Sequence, residues 1–320
     1  MQAQETEEFK PSGTPMVWLI SDYKTGLGEH SDEGGFSVGR ARLGYKYQAT
    51  PSVSFTGAMD MKFKDGQRVV NYHYAYLEWM YQNLTIDAGL VPLIQFAVQE
   101  TFWGRRYIEK SFQDLNDFAY PSDVGLKVRY KFTDWLEVDA SIVNGEGLLQ
   151  LNTNKTNRYG LGATILPLNG VTLRAYLDTY AKFGENKKDI EPNLPIRAAN
   201  QSSIAFFAGY RNDIFSLGAE YNRQTAKKFV KGNNYSGVSV YARVPISKKF
   251  DWFARYDYVD TQTAAGSDYN WSSIVNKTLF ISGFEFHPFK ALQLSPNYRY
   301  VESIFGGGAH YICINLGYKL

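Results

Sequence analysis

One pattern limits what this chain can fold into. Apolar and polar residues alternate with period two in segment after segment, and helical periodicity is nearly absent. In 36–47, Ala41, Leu43, Tyr45 and Tyr47 take one face and Arg40, Arg42, Gly44 and Lys46 the other. In 123–132, Leu126, Val128, Tyr130 and Phe132 oppose Lys127, Arg129 and Lys131; in 135–143, Leu136, Val138, Ala140 and Ile142 oppose Glu137, Asp139 and Ser141. The same reading of 16–23, 52–62, 69–80, 84–90, 159–165, 171–182, 202–211, 215–222, 236–244, 252–258, 278–286, 291–300 and 310–320 brings the total to sixteen strands. Segment 278–286 reads with either face apolar.

Connector lengths alternate as well. Those at 48–51, 81–83, 133–134, 166–170, 212–214, 245–251 and 287–290 are short; those at 24–35, 91–122, 144–158, 183–201, 223–235, 259–277 and 301–309 are long, with 63–68 between. One end of the assembly therefore has tight turns and both termini, and the other has extended loops. A strand in hydrocarbon must pair every backbone group, so its sheet must close. Its outer face is then apolar and its inner face wet. The expected fold is all-β: a transmembrane antiparallel β-barrel of about sixteen strands. A soluble sandwich also alternates, but it needs neither charges on strand after strand nor alternating loop lengths. The domain reading is a flexible lead-in at 1–15 and a single barrel domain at 16–320, with 91–122 as candidate constriction loop.

Composition agrees. Of the 24 Tyr, 21 Phe and 6 Trp, many close strands, as Tyr47, Trp79, Tyr81, Phe132, Trp135 and Tyr210 do, where headgroups would lie. A balance of 34 Lys+Arg against 32 Asp+Glu leaves no basic excess for nucleic acid. Four His and one Cys exclude a His/Cys metal cage or a disulfide framework. His30, His73, His287 and His310 offer no nucleophile–base spacing, so neither an enzyme nor a cofactor is expected. The start shows no signal-peptide pattern, as expected of a mature chain; the expected location, a bacterial outer membrane, rests on the strands.

Parity names an inward set: Arg40, Arg42, Lys46, Asp60, Glu78, Lys127, Arg129, Arg174, Asp178, Arg211, Arg243, Arg255 and Arg299 are candidate pore-lining residues. Arg40, Arg42 and Arg129 are expected near one another. The basic excess in the inward set points to a mild anion preference. The competing reading is that the charges pair across strands and stiffen the wall, with Lys127, Arg129 and Lys131 against Glu137 and Asp139. Tyr72, Tyr74, Tyr76, Tyr176, Tyr180 and Tyr241 are inward aromatics that a sugar- or oxyanion-specific channel would use. Loop 91–122 carries Glu100, Trp103, Arg105, Arg106 and Glu109; folded into the lumen, its arginines would face opposing charge and set up a transverse field. Lys227, Lys228 and Lys231 would either draw anions to the mouth or hold acidic lipopolysaccharide groups. Loop 183–201 reads as a solvated face, and the Asn-x-Ser/Thr triplets at Asn154, Asn234 and Asn270 as ordinary polar loop sequence. An occluded barrel serving as a surface scaffold or receptor is the further alternative.

Three stretches resemble the phosphate-selective porin O and P family in its Bacteroidetes-type form. They are FSVGRARLGYKY at 36–47 followed by Asp60, NLTIDAGLVP at 83–92 leading to Trp103 and IEKSF at 108–112, and VNGEG at 143–147. The resemblance runs from about Val17 to the C-terminus. It implies a sixteen-stranded barrel in outer-membrane lipid and lipopolysaccharide, a homotrimer, a loop folded into the lumen, and passive diffusion of small hydrophilic solutes or anions. Selective members of the family carry an arginine ladder and a lysine cluster. Here the basic wall is partial and no matching lysine cluster is seen.

Overall fold

The computed structural model describes residues 9–28, 34–64, 67–148, 156–181, 199–264 and 276–320. The start of the lead-in, His30, the triplets at Asn154 and Asn270, and most of loop 183–201 lie outside the described residues.

Sixteen antiparallel strands form one closed barrel. They are β1 (Ser12–Leu27), β2 (Gly35–Thr50), β3 (Val53–Lys64), β4 (Gln67–Tyr81), β5 (Leu84–Pro92), β6 (Ser122–Thr133), β7 (Leu136–Val143) and β8 (Asn157–Ile165), followed by β9 (Val171–Ala181), β10 (Gln201–Arg211), β11 (Ser216–Thr225), β12 (Asn234–Pro245), β13 (Phe250–Gln262), β14 (Asn276–Phe289), β15 (Leu292–Ser303) and β16 (Gly308–Lys319). Each strand pairs with its sequence neighbours, and β1 closes on β16 from Trp18↔Lys319 to Leu27↔His310. No edge is left open. β1 starts earlier than alternation suggests, because Ser12 to Pro15 pair through their backbones with Gln48 to Tyr45 of β2.

The outer face is an apolar belt. Leu43, Phe55, Leu77, Leu161, Leu177, Phe206, Leu217 and Ile314 are all exposed. In a water-soluble protein that area would be a large liability; against hydrocarbon it is the required surface. Near the short turns the belt ends in exposed aromatics, among them the stacked pair Trp79–Tyr81 (centroids 5.9 Å apart), Tyr130–Phe132 (4.7 Å) and Tyr210–Phe215 (5.4 Å).

Strict parity fails at one residue of β4. Ala58 pairs with Tyr74 and Met59 with Tyr72, so His73 is one extra residue that the register between β3 and β4 skips. This bulge resets the alternation. His73 turns inward (1% exposed) and Tyr72 turns outward (64%), so Tyr72 is not an inward aromatic. Deleting His73 leaves a regular alternation, so the barrel is expected to fold. Deleting Ala219 from β11, whose ladders are regular on both sides, would flip every residue beyond it and is expected to abolish folding. The fraction of each variant that shifts its gel mobility on heating checks both expectations.

Candidate functional site

The chain between β5 and β6 does not stay outside the barrel. It carries α1 (Ala97–Trp103) and α2 (Phe112–Leu115), and much of it is buried inside the lumen. α1 ends at Gly104, whose left-handed backbone (φ 67°) redirects the chain.

Two kinds of contact hold this inner loop. The first is apolar. Phe102 lies edge-on to Phe207 of β10 (5.1 Å), Trp103 packs on Tyr241 and Phe253, and Phe118 meets Tyr235 of β12 (4.3 Å). Leu279 and Ile281 of β14 join the cluster of Phe102 and Trp103, which settles the inner face of the segment that reads either way from sequence. Wall glycines provide seats. A Cβ on Gly209 would come 2.6 Å from Phe102, one on Gly237 2.5 Å from Phe112, and one on Gly317 2.7 Å from Tyr107. Gly209→Val, whose added Cβ has the Phe102 and Phe207 rings as its nearest neighbours, is therefore expected to push α1 off the wall at a cost of about 1–3 kcal/mol, read as new protease cleavage within 97–106 of a still heat-modifiable barrel.

The second kind is polar. An irregular segment leaves carbonyls that no regular element satisfies. Wall arginines donate to them: Arg174 to Ile94 (2.9 Å), Arg158 to Phe118 (3.3 Å), Arg211 to Phe102 (2.7 Å), Arg255 to Lys110 (2.6 Å) and Arg299 to Ile108 (3.0 Å). Arg299 also pairs with the carboxylate of Glu109 at 2.7 Å. Near the short-turn end, Arg105 donates to Glu285 (3.0 Å) and approaches Asp251 (3.5 Å), while the Tyr107 hydroxyl donates to Glu285 (2.6 Å). Burial, with the Glu285 charge beside it, holds the Tyr107 phenol far above its usual pKa, so it remains a donor. Asp251, Glu285 and His287 bring ligand-type atoms within 4.8 Å of one another. Arg105 and Arg243 already balance those carboxylates, so the cluster is an anchor for the loop and a poor fit to a cation. On the outside, Lys227 turns in to donate to the Asp117 carbonyl (2.6 Å), and burial pushes its amine down to about 8; Lys228 and Lys231 stay exposed.

The candidate residues thus fall into two groups. Arg174, Arg211, Arg255 and Arg299 point inward and hold the loop, and Asp178 is the carboxylate of Arg158 (2.6 Å). Arg243 holds Asp251 (2.8 Å). The β2–β6 side faces across the lumen. There Arg40 and Arg42 share Asp60 (3.0 and 2.9 Å), Lys46 pairs with Glu78 (2.9 Å), Lys127 with Asp87 (2.6 Å), and Arg129 reaches Glu78 only at 3.9 Å. Arg129 is thus tied to a different carboxylate from Arg40 and Arg42. The expected pairing of β6 with β7 is replaced: Asp139 takes Arg174 of β9 at 2.6 Å, and Lys131 takes Asp134 of the turn at 2.7 Å. At Asp139 the directly opposed Arg129 is outcompeted by Arg174, which reaches across Gly162 of β8. Arg158, Asp251, Glu285 and His287 escape sequence reading. The first two sit in segments read as loop and turn, Glu285 lies on the segment with two apolar faces, and His287 was read as a turn residue.

Of the loop's own candidates, Trp103 is core, and Arg105 and Glu109 are anchors. Arg106 is gripped by Glu100 and Asp114. Burial alone would lower its pKa; the two carboxylates hold it above its usual value. The loop's lumenal charge is therefore net acidic, opposite to the expectation from Arg105 and Arg106. Facing it, Arg42 lies between the rings of Trp18 (5.3 Å) and Tyr74 (5.0 Å), and Arg40 lies over Trp18 (4.6 Å). Arg106 and Tyr107 line two cavities. One of about 550 Å³ reaches the short-turn end past Trp18, Arg42, Tyr74 and Lys319; one of about 210 Å³ lies on the long-loop side with Arg40 and Asp22. A basic wall and an acidic loop thus face each other where the two cavities adjoin.

Known structures share this architecture. OmpF of Salmonella typhi, solved with daunomycin, aligns with a TM-score of 0.72 at 14% identity, over 96% of this chain and 97% of that one. An OmpT of Vibrio cholerae lacking loop L8, an outer membrane protein, gives 0.65 at 16% over 97% and 99%. The outer membrane channel DcaP of Acinetobacter baumannii gives 0.63 at 12% over 97% of each chain. At these identities the likeness is one of fold. A search of curated protein sequences finds no significant match. The profile of a family described as putative beta-barrel porin-2, OmpL-like, matches residues 121–311, more than half of the sequence. Together with the apolar belt and the closed sixteen-stranded sheet, that match makes the chain a non-enzymatic outer-membrane β-barrel. It belongs to the putative beta-barrel porin-2, OmpL-like family.

Proposed function

We propose that the protein is a diffusion channel for small hydrophilic solutes and ions, with a mild preference for anions. The observation that carries this reading is the neck, where Arg40 and Arg42 face Glu100, Arg106 and Asp114 of the inner loop. Charges of opposite sign on facing walls order water and favour small polar solutes over apolar ones. Along the β2–β6 wall five cations, Arg40, Arg42, Lys46, Lys127 and Arg129, face three carboxylates, Asp60, Glu78 and Asp87, and that excess supports the anion preference. Kinship with the phosphate-selective porin O and P family is part of the proposal, supported by the stretches around Arg40 and Arg42, and it places oxyanions among the solutes to test. A homotrimer embedded in lipid and lipopolysaccharide completes it.

Planar-bilayer recording of the detergent-purified protein tests the reading. Stable steps, linear in salt, with a KCl-gradient reversal potential of anion sign are expected. A potential of cation sign would discard the anion preference. No steps from a heat-modifiable barrel would favour the occluded scaffold, and saturation by phosphate, sulfate or one sugar would favour a specific channel. Cross-linking in membranes, with a band at three times the monomer mass, checks the trimer.

A further inference from the structure

A third cavity, about 980 Å³, opens under α1 at the short-turn end, between the inner loop and the β6–β10 wall. Its lining has two characters. Ile94, Ala97, Val98 and Phe102 from the loop side, with Leu166 and Leu168 from the β8–β9 turn, make an apolar surface. Lys127, Arg129, Arg174 and Arg211 are its cations.

Arg211 differs from most of the arginines inside the barrel; Arg129, in the same cavity, reaches Glu78 only at 3.9 Å. Arg42, Arg158, Arg174, Arg243, Arg255 and Arg299 each hold a carboxylate within 2.9 Å. Arg211 has no carboxylate within 4.0 Å among the described residues; one Nη donates to the Phe102 carbonyl at 2.7 Å, and the guanidinium lies 4.5 Å from the centre of the Phe102 ring. It is also exposed to the cavity. A guanidinium has five donors and fits a carboxylate with two of them. The acids of the same cavity are otherwise engaged or distant in register: Asp139 is bound by Arg174, Asp134 by Lys131, and Glu137 sits on β7, across β8 and β9 from the strand that carries Arg211. A guanidinium that holds no carboxylate, beside an apolar floor, recognises a small molecule with one carboxylate and an apolar body.

We infer that this vestibule is a binding subsite for small amphipathic monocarboxylates, aromatic or branched aliphatic, with the carboxylate on Arg211 and the apolar body against Val98, Phe102 and Leu168. The subsite rests on the channel reading: it is a place where such an acid pauses on its way through. The cavity is far larger than one such acid and open, so binding is weak, as transport requires.

The test uses 3-phenylpropionate, acetate and 3-phenylpropylamine on the full-length protein folded in nanodiscs, by equilibrium dialysis against empty nanodiscs. Phenylpropionate is expected to bind about tenfold more tightly than acetate or the amine. Arg211→Gln should weaken it about tenfold, and Arg211→Lys should restore part of the loss. Val98→Asn, which makes the apolar side polar without adding charge, should weaken phenylpropionate and leave acetate unaffected. Equal binding of phenylpropionate and acetate by the wild type, equal binding of the amine, or unchanged binding by a folded Arg211→Gln would overturn the subsite. Bilayer recording separates the two readings. Steps without phenylpropionate block overturn the subsite alone; absence of steps overturns the channel reading, while dialysis still reports on the subsite.

Discussion

Arg105→Ala frees the middle of the inner loop. Its guanidinium is buried against Glu285 and Asp251 and sits 5.4 Å from the Phe253 ring. Truncating one partner of a buried pair typically costs several kcal/mol, because the other charge is left without compensation. Here Arg243 still holds Asp251, and His287 and Tyr107 still meet Glu285, so about 3 kcal/mol is expected. That loss falls on the loop, since the barrel ladder does not pass through Arg105. Single-channel steps should become larger and noisier, and protease should cleave near 104–107 while the barrel still shifts on heating. A variant with wild-type conductance and protease pattern would mean that the apolar seats hold the loop unaided.

Replacing both Arg40 and Arg42 with Gln makes the neck net negative. The wall loses two positive charges and keeps Asp60, against a loop that carries Glu100 and Asp114 around Arg106. One unit charge a few ångströms from a passing ion is worth about 1 kcal/mol even in water, and a screening length of about 10 Å at 0.1 M salt does not remove it. Removing two should lower the anion-to-cation permeability ratio roughly tenfold or more, read as a shift of the KCl reversal potential toward the cation side. The shift should shrink at 1 M salt. An unchanged potential would show that ions pass elsewhere in the lumen.

Much of the architecture is legible in the sequence because a barrel is a periodic object. Alternation such as that of Arg40 to Tyr47 is local, and a closed sheet with hairpin neighbours needs no long-range information to number its strands. Parity alone assigns Arg174, Asp178, Arg255 and Arg299 to the inner face. What those side chains do was not legible. Whether a guanidinium faces the passage or a loop carbonyl depends on the path of a segment far away in sequence, as Arg255 and the Lys110 carbonyl illustrate. The His73 bulge was equally hidden, because Tyr72, Tyr74 and Tyr76 look regular on paper. The inward apolar residues Leu279 and Ile281 obscured β14 for a physical reason: a wall that receives a loop is dry on both faces there, so the usual contrast is lost.

The seats of the inner loop also set an order of events during assembly. The loop follows β5, yet its glycine seats and most of its arginine anchors lie on β8 to β16, which come later in the chain. Until those strands are in place, Phe102, Tyr107 and Phe112 have nothing to dock on. Contacts between residues so far apart in sequence form late, after their loop-closure entropy has been met. The growing sheet therefore stays unconstricted until β10 to β12 supply the seats of Phe102 and Phe112, and the seat of Tyr107 comes only with β16.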